Sequence, residues 1–147
     1  MLLQKESSPA LNTVTAYGAG YVEINGEPYR HPVRFGPEGP IERWAIEEAG
    51  ELTIAALREI AGIKDSGTDP LAFLDGEDAT VPADVEVVLI GTGTRQVMLA
   101  HSLTAPLQRL GIGVEAMSTQ AAARTYNILM SEGRRVVAAL IPTQENE

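Results

Sequence analysis

From position 85 the apolar residues stop alternating and run together, with Val85, Val87, Val88, Leu89 and Ile90 interrupted only by Glu86. A strand apolar on both faces needs a covering layer on each side, so this run predicts the central strand of a sheet. Gly91-Thr92-Gly93 ends it, because glycine lets the backbone turn sharply and leaves its amides uncovered. A short helix follows, for which Ser102 is the expected cap, Pro106 sits in the first turn and Gly111 marks the end. Residues 112–117 return as a strand. Ser118 or Thr119 caps the next helix, which runs to about residue 131 and closes at Gly133. Residues 136–141 form a third strand, apolar on both faces, that Pro142 stops.

The helix from 119 to 131 has two sides at a period of 3.6. Ala121, Ala122, Thr125, Ile128 and Leu129 are expected to pack on the sheet, leaving Gln120, Arg124, Asn127 and Ser131 as a polar stripe. Such a stripe is ordinarily a solvated face. Here Tyr126 and Met130 flank it, and an aromatic with a polar tip beside an adaptable thioether is a mixture enriched where proteins meet. Arg124, Tyr126, Asn127 and Met130, with Arg134 at the helix exit, are therefore the candidate surface for a protein partner or a second copy. The plainer reading of Arg134-Arg135 is cations set against the carbonyl end of a helix.

Before position 85 the pattern is that of short strands. Residues 14–17 and 21–24 alternate, Gly18 and Gly20 mark a tight bend between them, and Asn25-Gly26 is the signature of a type I′ hairpin turn into a strand over 29–35. Gly36, Pro37, Gly39 and Pro40 make a loop. Residues 41–46 read as a partly exposed strand anchored by Trp44, and Ile54, Leu57 and Ile60 recur at helical spacing over 52–61, with Thr53 at the start and Gly62 after the end. Residues 65–84 carry Asp65, Asp69, Asp75, Glu77, Asp78 and Asp84. The acids lack the alternating ligands and terminal glutamate of an EF-hand, so a solvated acidic connection is the better account.

Composition narrows the function. The chain has 147 residues, 44% of them hydrophobic, which suits one domain with a full core over 13–142, a lead-in over 1–12 and a loose tail over 143–147. With no cysteine, and only His31 and His101 as imidazoles, no thiolate metal site is available. A formal charge of -9 opposes nucleic acid and anionic membrane as partners. No segment reaches the ~18 apolar residues of a membrane span, and residues 1–9 lack a signal-peptide core. A soluble, cytoplasmic protein is expected.

No residue set makes a recognisable catalytic centre. Gly91-Thr92-Gly93-Thr94-Arg95-Gln96 resembles the opening of a dinucleotide fingerprint, and Glu115 follows as an acid, but Gln96 replaces the third glycine and no helix starts at once. A tight turn after a buried strand explains it, and no cofactor is expected. His101 and Ser102 are neighbours in sequence rather than a nucleophile and its base. Carboxylates such as Asp75, Glu77 and Asp78 lie where solvent keeps them ordinary. One ligand remains as a candidate. If the strands at 85–90 and 112–117 are parallel neighbours, Gly91, Thr92, Gly93 and Arg95 lie beside the helix start at Ser118-Thr119, where amides, dipole and guanidinium together favour weak binding of a small anion.

The Gly91-Thr92-Gly93 turn carries a family resemblance, together with Gly111-Ile112-Gly113-Val114-Glu115, the helix start Ser118-Thr119-Gln120-Ala121-Ala122-Ala123-Arg124-Thr125-Tyr126-Asn127, and Glu132-Gly133-Arg134-Arg135-Val136. The chain resembles the Mth938-like family, also called DUF498, over nearly everything beyond its lead-in. The resemblance implies an α/β protein with a three-layer fold: a mixed central sheet, flanking helices and an N-terminal β-hairpin. It implies no catalytic residue. Relatives in mitochondria include an assembly factor for respiratory complex I, so what it suggests is action through protein contact. The competing expectation is a small-molecule binder or enzyme using the 91–95 loop.

Overall fold

The computed structural model describes residues 10–63 and 85–144. The first nine residues of the expected lead-in, the acidic connection over 65–84 and the last three residues of the tail lie outside the described residues. Five strands come first: β1 (Val14–Gly18), β2 (Tyr21–Ile24), β3 (Glu27–Tyr29), β4 (Val33–Phe35) and β5 (Glu42–Arg43). A single 3-10 turn (Ala49–Glu51) leads to α1 (Ile54–Ala61). The second half runs β6 (Val87–Gly91), α2 (His101–Gln108), β7 (Gly113–Met117), α3 (Thr119–Ser131) and β8 (Val136–Leu140).

Two sheets result. One is an antiparallel meander β1-β2-β3, and the other has the order β5-β4-β8-β6-β7, with β6 parallel to both neighbours and β4 antiparallel to β8. The pattern of β6 is explained by what lies on each face. Val87 and Leu89 enter one core with α3 and the meander, whereas Val88 and Ile90 enter a second core with α1, α2 and Trp44. Each of these four side chains is buried, which contributes about 1.5–3 kcal/mol apiece. The architecture is a mixed α/β fold with the sheet covered on both faces.

Asn25 and Gly26 take φ of 56° and 83°, the type I′ geometry their sequence predicts. The strand expected over 29–35 is instead two, because Pro32 has no amide to continue a ladder. β3 stays in the meander, and β4 crosses to the five-stranded sheet. The strand expected over 41–46 shortens to Glu42–Arg43, while Trp44 turns inward and is buried. Thr53 caps α1 through Ala56 N and Gly62 closes it in the left-handed region, as expected.

Ser102 does not cap α2. Ala100 occupies the cap position without a side-chain bond, and Pro106 lies inside the helix rather than in its first turn. The packing side of α3 also differs from expectation. Thr119, Ala122, Ala123, Tyr126 and Met130 are buried, and Ile128, expected against the sheet, is 56% exposed. Small residues all around this helix leave its phase open in the sequence. The core between the sheet and the meander settles it: Tyr126 packs on Phe35 of β4, and its hydroxyl finds a partner in Asn12 just ahead of the meander.

Candidate functional site

The strands β6, β7 and β8 are parallel and in register, so Gly91 lies level with Met117 on one side and Leu140 on the other. From β6 the chain crosses through α2 to β7, and then returns through α3 to β8 on the far side of β6. The carboxyl ends of β6 and β8 therefore lie side by side, and ligand crevices in open α/β sheets form outside strand ends of this kind. A cleft of about 700 Å³ lies there, lined by Thr92, Gly93, Thr94 and Arg95 after β6, Ile141 and Pro142 after β8, and Glu47 and Glu48.

Thr119 holds the floor of this edge together. Its hydroxyl accepts from Gly93 N at 2.8 Å and donates to Ile141 O, while its own amide donates to Gly93 O at 2.8 Å. The side chain is buried, so both partners would otherwise be stranded away from water. The close approach needs Gly91: a Cβ there would stand 2.9 Å from Thr119 Oγ1 and 2.9 Å from Leu140 Cδ2. Thr92 Oγ1 accepts from Val97 N at 3.1 Å, which folds the loop back on itself.

These contacts occupy part of the expected anion seat. Two first-turn amides of α3 are already bonded, Thr119 N to Gly93 O and Ala121 N to Ser118 Oγ. Arg95 lines the large cleft and Ser118 does not; Ser118 lines a separate pocket of about 150 Å³ with Gln120 and Thr94. Glu47 and Glu48 line the same cleft as Arg95, so the charge there is mixed. The parallel pairing holds, and Gly91, Gly93 and Thr119 do meet: Gly93 and Thr119 bond each other, and Gly91 packs against Thr119.

The expected partner surface is likewise used within the chain. Tyr126 is 0% exposed, stacks edge-on against Phe35 at 4.8 Å between ring centroids, and donates from its hydroxyl to Asn12 O at 2.7 Å. Burial pushes its phenol pKa well above the ordinary value, so it stays a donor. Met130 is buried in the same core. Asn127 pairs with the backbone of β1 like one more strand residue, its Oδ1 accepting from Val14 N and its Nδ2 donating to Val14 O. Arg124 donates to Tyr17 Oη at 3.0 Å, and Arg134 Nε pairs with Glu86 Oε1 at 2.9 Å. Tyr126 and Met130 are thus interior, and Arg124 and Asn127 fasten the meander to α3.

Two residues went unnoticed in the sequence. Asn12, assigned to the lead-in, donates to Gly36 O and Gly39 O, accepts from Asn25 Nδ2, and receives the Tyr126 hydroxyl on its carbonyl. Its partners lie far along the chain, so no local pattern marks it. Gln96 reaches Ala116 O at 3.0 Å with its side-chain amide, a contact visible only once β7 is known to be an edge strand.

A β-meander packed across a helix that covers one face of a mixed sheet, with further helices on the other face, defines a three-layer α/β protein. The chain belongs to the family described as "Protein of unknown function (DUF498/DUF598)", whose model matches residues 14–141. The solution structure of a Bordetella pertussis protein described as a Mth938-like domain is similar, with a TM-score of 0.71 and 50% identity, covering 92% of this chain and 89% of that one. An uncharacterized protein of Rhodobacter capsulatus is 34% identical over 129 residues, covering 88% of this chain and 83% of its own. A Danio rerio protein named NADH dehydrogenase (ubiquinone) 1 alpha subcomplex assembly factor 3 is 29% identical over 141 residues, covering 96% of this chain and 70% of its own. Among the described residues, no helix is long and apolar enough to cross a membrane.

Proposed function

We propose that this chain acts by protein contact, as an assembly or scaffolding factor of the cytoplasm rather than as an enzyme. The observation that carries this reading is the similarity, along 96% of the chain, to a protein named as an assembly factor. The chemistry of the fold agrees with it. The polar groups at the end of the parallel strands, Thr119, Ser118 and Thr92, are spent on internal bonds that hold the loops.

A second reading keeps one specific observation in its favour, the cleft of about 700 Å³ lined by Arg95, Glu47 and Glu48. Gentle purification of the tagged chain from its own cells separates the two. Native mass spectrometry of the eluate is expected to find a stoichiometric protein partner. A retained small molecule with no protein partner would reverse the assignment in favour of the cleft.

A further inference from the structure

β7 is the last strand of the five-stranded sheet and pairs only with β6 among the described residues. The direction of its backbone groups follows from its bonds. Gly113 N donates to Glu86 O, and Met117 O accepts from Thr92 N, so residues 113, 115 and 117 point toward β6. Backbone groups alternate along a strand, so Val114 and Ala116 point the other way. The Gln96 side chain confirms the parity, since it bonds Ala116 O from outside the sheet. The Val114 amide, the Val114 carbonyl and the Ala116 amide have no partner among the described residues. An edge with unpaired groups is a template for another strand.

Its side chains say what kind of strand fits. Glu115, midway along β7, is its only exposed residue. Gln96 Nε2 also lies 3.7 Å from Met98 Sδ, so the thioether stands next to the edge, and Met98 is 79% exposed. A second copy fits poorly. The antiparallel register that uses both Val114 and Ala116 sets Glu115 directly opposite its own counterpart, in the closely spaced kind of pair where Cα atoms stand about 4.5 Å apart. Like charges so placed destabilise a ladder. The net charge of -9 adds to the repulsion and favours a basic partner.

Building on the protein-contact reading, we propose that the free edge of β7 is a strand-addition site for an extended segment of a partner protein carrying a lysine or arginine opposite Glu115. The segment supplies main-chain bonds to Val114 and Ala116 and an apolar residue against Met98. Gln96 holds the Ala116 carbonyl until the partner's amide replaces it.

Two blocked heptapeptides test this, Thr-Val-Thr-Lys-Thr-Val-Thr and its counterpart with Glu at the centre, each titrated into the full chain and followed by amide NMR. The lysine peptide is expected to bind about tenfold more tightly and to shift the Val114 and Ala116 amides, and Glu115→Lys should reverse the preference. Ala116→Pro removes an amide that has no internal bond, so the fold should persist while the peptide is lost. Equal affinities, shifts confined to other residues, or dimerisation of the wild-type chain through these same amides would each overturn the proposal. Partner capture that survives both variants would overturn the edge assignment alone. If the wild-type chain captures no partner, the protein-contact reading fails instead, and the titration still decides whether the edge takes a strand.

Discussion

Thr119 shows how far one residue can be read from its neighbours. Its position after Ser118 and before an alanine-rich helix marks a cap region, and Ser118 does cap, but the hydroxyl of Thr119 turns inward to tie Gly93 to Ile141. Replacing it with valine keeps the shape and strands a buried amide and carbonyl. Thr119→Val is expected to cost about 2 kcal/mol or more in urea unfolding, and Thr119→Ser, which keeps the hydroxyl, much less. Equal losses for both would show that the methyl contact, not the hydrogen bonds, is what counts. Tyr126 makes the complementary point. A tyrosine next to a polar stripe suits an interface, and only the location of the Asn12 carbonyl reveals that its hydroxyl is satisfied inside. That carbonyl is 114 positions away, beyond any local pattern.

Among the elements, those set by short-range chemistry were legible. β6 followed from apolar residues on both faces, and the β2–β3 turn followed from Asn25-Gly26, whose positive φ values few other pairs accept. A Cβ at Gly26 would meet nothing within 4 Å, so crowding plays no part there. Gly26→Val is therefore expected to cost about 1–3 kcal/mol from backbone conformation alone, read as a lower urea midpoint. An unchanged midpoint would contradict that account.

The phase of α3 was not legible, because alanine and threonine on several sides allow more than one buried face, and the meander's position decides among them. The same limit applies to the ends of β6 and β8. There Glu86 accepts from Arg134 Nε and from the Arg135 amide. The Arg134 hydrogen bond foremost, then the Arg135 amide, holds the Glu86 carboxyl below its ordinary value. A lowered folded pKa means that the stabilisation is complete above the ordinary carboxylate value and is lost as pH falls through the folded one. The pair is partly exposed, so the effect is small. From pH 7 to pH 3 the urea midpoint of the wild-type chain should fall further than that of Glu86→Gln. Parallel decline would mean that the pair contributes nothing.

At the scale of the whole molecule, two surfaces offer themselves to other molecules. The cleft at the ends of β6 and β8 is roomy, but its Thr92 hydroxyl is bonded within the loop and its lining mixes Arg95 with two glutamates. The β7 edge is narrow, but it carries a carboxylate and backbone groups without a partner among the described residues. Fold class and family were open to the sequence because they rest on strand runs, turn pairs and caps spread along the chain. Which surface is free was not, since that depends on strand order, and strand order brings together residues remote in sequence. Hydrogen–deuterium exchange on the chain, alone and in its captured complex, tests the account most directly. Added protection is predicted at Val114 and Ala116, with residues 92–95 unchanged. Protection at residues 92–95 and 47–48, with the β7 amides exchanging as before, would contradict it.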